Sequence, residues 1–392
     1  MRAALTIFAI WAAGLGAAAQ FGKMSVAYPA LEFVYSGKSA AGYAAQSAVA
    51  IGLILSVVGM VGLVFGTTAG LFVARIGPRR AIVAALALGA AISLVQASLP
   101  PYPVMMLTRL MEGVSHLAIV VVGPTAIAGL APARFQGAAM TLWSSFFGVA
   151  YAGLFWFGPP LMAQEGPQAL FFLHAGWMAV CAGVLYALLP ADPPSDSGAR
   201  RGNLWQEHRA IYASPFLAAP AMGFACYTIT YVAVLTLLPA QMGDRGGFIG
   251  VAMPLVSIAV SLTLGVWLLG RMRAVRLVQA GFGAAMLGAL GLWALWGQDA
   301  ASGFALLVAA SLGIVQGASF AALAELNPTA EDRARGAGAI AQLGNLGTTS
   351  GTPLLVFMLD KSGEAGLALF LIGFSALGIA IHALQARRRL SA

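Results

Sequence analysis

Twelve apolar runs of about twenty residues or more follow one another along the chain. They lie near 4–35, 44–73, 80–99, 103–131, 136–163, 168–190, 214–241, 247–270, 275–297, 302–328, 336–359 and 365–386. Each is long enough to cross the roughly 30 Å hydrocarbon core of a bilayer as a helix, and the longer ones fit by tilting or bending. Inside lipid a backbone can pair its polar groups only within its own helix or in a closed barrel, and runs of this length select the helix. Hydrophobic residues make up 60% of the chain and charged ones 9%. A soluble domain carries about 25% charged residues, so lipid is the solvent for most of this chain. The expected fold class is an all-α polytopic membrane protein with twelve transmembrane helices.

The net charge of +8 raises a nucleic-acid reading. Its distribution argues against one: the basic residues sit in short clusters between apolar runs, and no nucleic-acid motif is present. With the N-terminus inside, the inner segments hold Arg2, Arg75, Arg79, Arg80, Arg134, Arg200, Arg201, Arg209, Arg271, Arg273, Arg276, Arg333, Arg335, Arg387, Arg388 and Arg389. The outer loops hold only Lys38, Arg245 and Lys361, while Lys23 and Arg109 lie within spans. That bias, 16 against 3 of the 21 basic residues, places both termini in the cytoplasm. The Ala- and Gly-rich composition points to a bacterial cell inner membrane. Arg2, the apolar stretch after it and Ala17-Ala18-Ala19 have the form of a cleavable signal peptide. The apolar character runs on to Val34, and cleavage would leave an odd number of spans, so this segment reads as an uncleaved first helix.

The longest polar stretch, Ala191 to Ser214, falls mid-chain. It suggests an N-terminal six-helix bundle over 1–190, a cytoplasmic linker over 191–213 and a C-terminal bundle over 214–392. Pro193 and Pro194 would end helix 6, and Asn203 to Tyr212 would form a short surface helix. The halves are weakly self-similar. Gly113–His116 (GVSH) aligns with Gly313–Gln316 (GIVQ) at an offset of 200, and Gly137 and Gly148 align with Gly336 and Gly347 at an offset of 199. Duplicated halves around a midplane site are a common plan for secondary transporters.

The segment Gly70 to Arg80, GLFVARIGPRR, resembles the loop signature between helices 2 and 3 of the major facilitator superfamily, with Gly70, Arg75, Gly77, Arg79 and Arg80 matching and Ala74 where the signature has Asp. Gly265 to Arg276 is a degraded second copy. In helix 4, LTRLMEGVS resembles the family's R-x-x-q-G motif through Arg109 and Gly113, with Glu112 in place of Gln. Gly148, Gly153, Gly158 and Pro159 are similar to the glycine-rich helix 5 of exporters, at different spacing. The resemblance implies two pseudo-symmetric six-helix bundles that open alternately to either side, a loop at Gly70–Arg80 that latches the cytoplasmic gate, and an Arg109 tied to proton transfer.

Ionisable groups inside a span are costly and face a cavity or a partner. Arg109, Glu112 and His116 at i, i+3 and i+7 share one face of helix 4. At about 1.5 Å per residue from Pro103, Arg109 falls in the outer half and His116 near the middle. Two readings stand: a graded proton path with Glu112 as carrier, or an Arg109–Glu112 pair that holds helix 4 to a neighbour. Gln20 and Lys23 share a face of helix 1. Lys23 is either a cationic handle for an anionic substrate or an ion-pair partner of Glu112. Gln342, Asn345 and Thr349 on helix 11, Tyr227, Thr230 and Tyr231 on helix 7, and Trp143, Phe147 and Tyr151 on helix 5 form polar and aromatic stripes suited to a pocket or to interhelical packing. Glu325 near the inner end of helix 10 reads as a helix-end cap against Arg333 or Arg335. His174 and His382 also fall in spans. Cys181 and Cys226 sit in apolar runs with no metal or redox spacing and read as small buried hydrophobes.

There is no P-loop, cofactor fingerprint, metal spacing or nucleophile–base pair, so the chain reads as a non-enzyme without cofactor. The expected function is secondary active transport, by a monomer, of a small solute, with a small organic anion favoured by Lys23 and Arg109 and proton coupling by Glu112. The alternatives are proton-driven efflux of lipophilic or drug-like compounds, motivated by the aromatic stripes, and a non-transporting receptor or scaffold.

Overall fold

The computed structural model describes residues 2–37, 42–192 and 204–391. Among them the spans are α1 (Arg2–Tyr35), α2 (Ala48–Ile76), α3 (Pro78–Ala97), α4 (Tyr102–Leu130), α5 (Ala133–Glu165), α6 (Gln168–Leu188), α7 (Ala218–Gln241), α8 (Gly243–Leu269), α9 (Ala274–Ala294) and α10 (Ala300–Leu326). A last helical stretch, Ala330–Leu390, is broken at Gly363, whose φ of 54° and ψ of −136° lie outside helical space. It therefore holds two spans, α11 (330–362) and α12 (364–390), which complete the twelve. The last two residues before a reversal of direction are thus joined through a glycine, the residue that adopts positive φ without steric cost.

The boundaries follow the sequence expectations with local shifts. The eleventh span begins at Ala330, six residues before the expected start, because Thr329 caps it: its hydroxyl accepts from the Asp332 amide at 3.0 Å. A short helix, Leu204–Ala213, lies between α6 and α7. Lys38, Pro193, Pro194, Arg200, Arg201 and Asn203 lie outside the described residues.

The outer surface is apolar, as contact with lipid requires. Trp156, Val180, Leu287 and Leu369 are all more than half exposed. The inner faces are dominated by Ala, Gly, Ile and Leu, and small residues let the helices approach closely. In the first bundle α1 packs on α4, α5 and α6, and α3 packs on α4 and α6. In the second, α7 packs on the α11–α12 stretch and α9 on α10. The repeat in the sequence has a counterpart in the packing. Gly113 of α4 lies against the Val58 carbonyl of α2, and Gly313 of α10 lies against the Ser257 carbonyl of α8. Adding six to each helix number converts one contact into the other.

The bundles meet along α2 and α11. Gly59, Gly62, Gly66 and Gly70 fall on one face of α2 and oppose Thr349, Asn345, Gln342 and Ala334. A Cβ on Gly66 would sit 2.6 Å from the Gln342 Cβ and 2.8 Å from its Cα, so only glycine allows this approach. Gln342 Nε2 donates to the Leu63 carbonyl at 2.8 Å. The Leu204–Ala213 helix lies over the seam: Tyr212 donates to Gln342 Oε1 at 2.7 Å, and His208 Nδ1 is 3.1 Å from the Thr67 hydroxyl. This seam lies toward the arginine-rich end of the molecule. Among the described residues α1 and α7 form no comparable seam. The structure is thus closed at its arginine-rich end.

Candidate functional site

Two features occupy the middle of the molecule: a buried charge cluster inside the first bundle, and a cavity between the bundles. The cluster is built on α4. Arg109 and Glu112 are fully buried. Glu112 Oε1 accepts from Lys23 Nζ of α1 at 2.5 Å. Glu112 Oε2 accepts from Arg109 Nη1 and, at 2.9 Å, from Gln96 Nε2 of α3. Arg109 also donates to the Ile54 carbonyl at 2.7 Å and to the Gln20 carbonyl at 2.8 Å, which ties α4 to α2 and α1.

Lys23 spends its three donors inside the bundle, on Glu112, on Ser93 Oγ at 2.7 Å and on His174 Nδ1 at 3.1 Å. The tautomer of His174 follows from its partners. Nε2 lies 2.9 Å from the Gly16 carbonyl, which can only accept, so Nε2 carries the proton and Nδ1 accepts. Nδ1 then takes Lys23 and the Ser93 hydroxyl, the latter at 2.6 Å. With His174 neutral, two cations face one carboxylate, and the cluster carries one excess positive charge. Arg109 Nη2, Gln20 Oε1 and Gln96 Oε1 are buried without a partner.

The cavity lies between the halves. It encloses about 720 Å³, mouth included, and is lined by α1, α4, α5, α7, α10 and α11. Its walls are largely aromatic: Phe21, Trp143, Phe146, Phe147, Phe224, Tyr227, Tyr231 and Phe320. The rings pack on one another. Tyr227 stacks on Tyr231 at 5.1 Å, and Phe21 meets the His116 edge at 5.0 Å and Phe147 at 6.0 Å. The polar lining is His116, Thr228, Gln316, Asn345 and Thr348, and no side chain that is charged at neutral pH lines it.

Of the residues singled out from sequence as substrate-binding, Trp143, Tyr227, Tyr231 and Asn345 line the cavity, and so does His116 from the proton set. The others lie elsewhere. Lys23, Gln20 and Arg109 are sealed in the first bundle. Tyr151 stacks on Phe147 at 4.9 Å, just beyond the lining. Gln342 holds the α2–α11 seam, and Thr349 faces Gly59. In the loop motif, Gly70 lies against the Ala334 carbonyl, and Gly77 (φ 95°) turns the chain beneath Asp192. Asp192 accepts from the Arg79 and Arg80 amides at 3.0 and 2.8 Å. Arg79 donates to the Tyr186 carbonyl at the end of α6 and lies over the Tyr186 ring. Arg75 follows on the last turn of α2. Glu325 does not pair with Arg333 or Arg335: its Oε2 accepts from the Ala274 amide at 2.8 Å, capping α9, while Arg333 donates to the Asn327 and Pro328 carbonyls. An exposed carboxylate gains more from an open helix N-terminus than from a solvated arginine. Ser93, Gln96 and His174 were not singled out as site residues, although the i, i+3 spacing of Ser93 and Gln96 on one face of α3 was a usable signal. Phe21, Phe146, Phe224 and Phe320 carry no signal, because a ring facing a cavity and a ring facing lipid look alike in sequence.

Residues 3–352 match the family described as Major Facilitator Superfamily. The inner membrane transport protein YajR of Escherichia coli (strain K12) is 25% identical over 196 residues, which cover 50% of this chain and 43% of that protein. The chain therefore aligns with under half the length of this curated relative. Among solved structures, the E. coli fucose:proton symporter FucP superposes with a TM-score of 0.76 at 15% identity, covering 99% of each chain. The human organic anion transporter MFSD10 (TETRAN) gives 0.77 at 14%, covering 96% of this chain and 98% of that one. The proton:xylose symporter XylE gives 0.78 at 14%, covering 97% and 94%. At such identities the likeness establishes the fold. With the family match spanning nearly all of twelve helices in two pseudo-symmetric bundles, the chain belongs to the Major Facilitator Superfamily and is a multi-pass membrane transporter.

Proposed function

We propose that this transporter moves a small, largely apolar aromatic solute by alternating access, driven by the proton gradient. One observation carries the reading: the central cavity is walled by eight aromatic side chains and holds no fixed charge. Trp143, Tyr227, Tyr231, Asn345 and His116 are the proposed solute contacts. Glu112, paired with Arg109 and Lys23, is the proposed proton carrier, because neutralising this carboxylate would release two cations that it alone balances. Gly70, Arg75, Gly77, Arg79 and Arg80 form the proposed gate at the arginine-rich end. The arginine bias supports a cytoplasmic position for that end and for both termini, in a bacterial inner membrane. The proposed division is a bundle over 1–190, a linker over 191–213 and a bundle over 214–392.

A second reading, transport of a small organic anion, is favoured by the excess positive charge of the cluster behind Phe21 and His116. It ranks lower because Lys23 is spent on protein partners and lies off the cavity. The test is solute-dependent proton flux in proteoliposomes, with a panel of lipophilic aromatic compounds and one of small organic anions, for wild type and Lys23→Met. Flux triggered by aromatic compounds and retained in Lys23→Met supports the proposal. Flux triggered only by anions and lost with Lys23→Met overturns it, and no flux with either panel points to a receptor or scaffold.

A further inference from the structure

The polar groups of the cavity are not evenly divided between donors and acceptors. Backbone carbonyls take up the donors. The Thr228 hydroxyl donates to the Phe224 carbonyl at 3.1 Å, and the Thr348 hydroxyl to the Asn345 carbonyl at 3.2 Å. Asn345 turns its amide nitrogen to the Ala341 carbonyl at 2.7 Å, and Gln316 turns its own to the Ser144 carbonyl at 2.6 Å. His116 Nδ1 lies 3.0 Å from the Ala17 carbonyl. A carbonyl only accepts, so these contacts fix the amide orientations and the imidazole tautomer. Gln316 Oε1 and the lone pair of His116 Nε2 are left as acceptors without a protein partner. The Trp143 indole N–H is shut away from the cavity by its burial. The Tyr227 and Tyr231 hydroxyls can play either role.

His116 and Gln316 also occupy equivalent places. They end the repeated segments GVSH and GIVQ, 200 residues apart, and line the cavity from α4 and α10 in opposite bundles. The pseudo-symmetry therefore sets one free acceptor on each side of the solute.

We infer that the cavity selects aromatic solutes that donate hydrogen bonds, such as N–H heterocycles, and that His116 Nε2 and Gln316 Oε1 are the residue atoms that recognise the donor. The inference rests on the aromatic-solute reading above and narrows it. A solute lacking a donor would desolvate both acceptors without replacing their water, which costs about 1–3 kcal/mol per buried group, or about fivefold or more in affinity. A carboxylate would meet oxygen and nitrogen lone pairs and be repelled.

The test compares isomers of equal apolar area: 3-methylindole, which keeps its N–H, and 1-methylindole, which lacks it. Binding to the purified full chain in nanodiscs is measured by calorimetry. The expected result is at least about fivefold tighter binding of 3-methylindole, with the ratio falling toward one in Gln316→Met and in His116→Phe. The ratio is internal to each variant, so a change in overall affinity does not obscure it. Equal binding of the two isomers overturns the donor selection while leaving the aromatic-solute reading standing. Tighter binding of indole-3-acetate than of 3-methylindole overturns it in favour of an anion site. Binding of none of them overturns both.

Discussion

Glu112→Gln is the substitution with the largest consequence that the structure defines. Glu112 is the single carboxylate among the buried groups of the first bundle, and it faces Lys23, Arg109 and Gln96. Glutamine keeps the shape and leaves two cations in a dry interior with no counter-charge. Breaking a buried ion pair from one side costs about 3–5 kcal/mol. Lys23→Met differs: Glu112 keeps Arg109 and Gln96, and His174 keeps Ser93 and the Gly16 carbonyl. Its cost should stay under about 2 kcal/mol, a range typical of one lost charged hydrogen bond. The double variant should be less damaged than the two losses summed, by a coupling of about 1–3 kcal/mol. The two free cysteines provide the assay. Cys181 of α6 and Cys226 of α7 are both buried, one in each bundle, so a maleimide dye reads the unfolding of each bundle when the other cysteine is changed to serine. In a Cys226→Ser background, Glu112→Gln should lower the melting midpoint at Cys181 by roughly 6–20 °C, scaling from soluble domains of similar size. Lys23→Met should lower it less, with the double variant between them. Equal damage from Lys23→Met and Glu112→Gln, or strict additivity, would refute the reasoning that Glu112 balances both cations.

Three further outcomes are expected. Gly66→Ala should hold the arginine-rich gate open, since its Cβ would meet the Gln342 backbone rather than a movable side-chain end; spin labels at Ile76 and Glu331 should report a longer distance, and an unchanged distance would contradict the seam. Tyr212→Phe removes the hydrogen bond that joins the Leu204–Ala213 helix to α11, worth about 1 kcal/mol, and should shift the same labels about fivefold toward the open population. Burial raises the Tyr212 phenol pKa, so the hydroxyl stays protonated through the physiological range and the shift should not vary between pH 6 and pH 8. Glu325→Ala strips the cap from α9 and should cost about 1 kcal/mol, read as a lower midpoint at Cys226 in a Cys181→Ser background; no shift would mean that the Ala274 amide finds water equally well.

The sequence displays what the bilayer imposes and hides what the bundle decides. Spans and their spacing are legible because lipid demands about twenty apolar residues per crossing. The shared face of Arg109, Glu112 and His116 is legible because helical periodicity is local. The partner of Lys23 is not, because α1 and α4 are joined only by tertiary packing, and a lysine facing a solute reads the same as one facing Glu112. The polar stripe on α11 shows a finer limit. From Gln342 to Thr349 it runs about 10 Å along the helix axis. That length passes from the seam, where Gln342 grips Leu63, to the cavity, where Asn345 stands. A one-residue offset then turns Thr348 to the cavity and Thr349 to Gly59, because each step rotates the side chain by about 100°.

The charge cluster and the cavity touch different faces of the same two helices, and this arrangement bears on coupling. On α1, Gln20 and Lys23 face the bundle interior while Phe21 faces the cavity. On α4, Glu112 faces Lys23 and His116, one turn on, faces the cavity. The second bundle carries no such cluster at the equivalent places: Gln316 stands for His116, and Leu312 for Glu112. The duplicated halves have therefore kept the cavity-facing acceptor and diverged in the buried charge. A solute that bridges His116 and Gln316 engages both bundles at once, whereas a proton arriving at Glu112 acts on α1 and α4 alone. Coupling in this arrangement runs through the positions of two helices rather than through contact between proton and solute. A variant that keeps the cavity intact and silences Glu112 should accordingly retain solute binding while losing proton-driven flux.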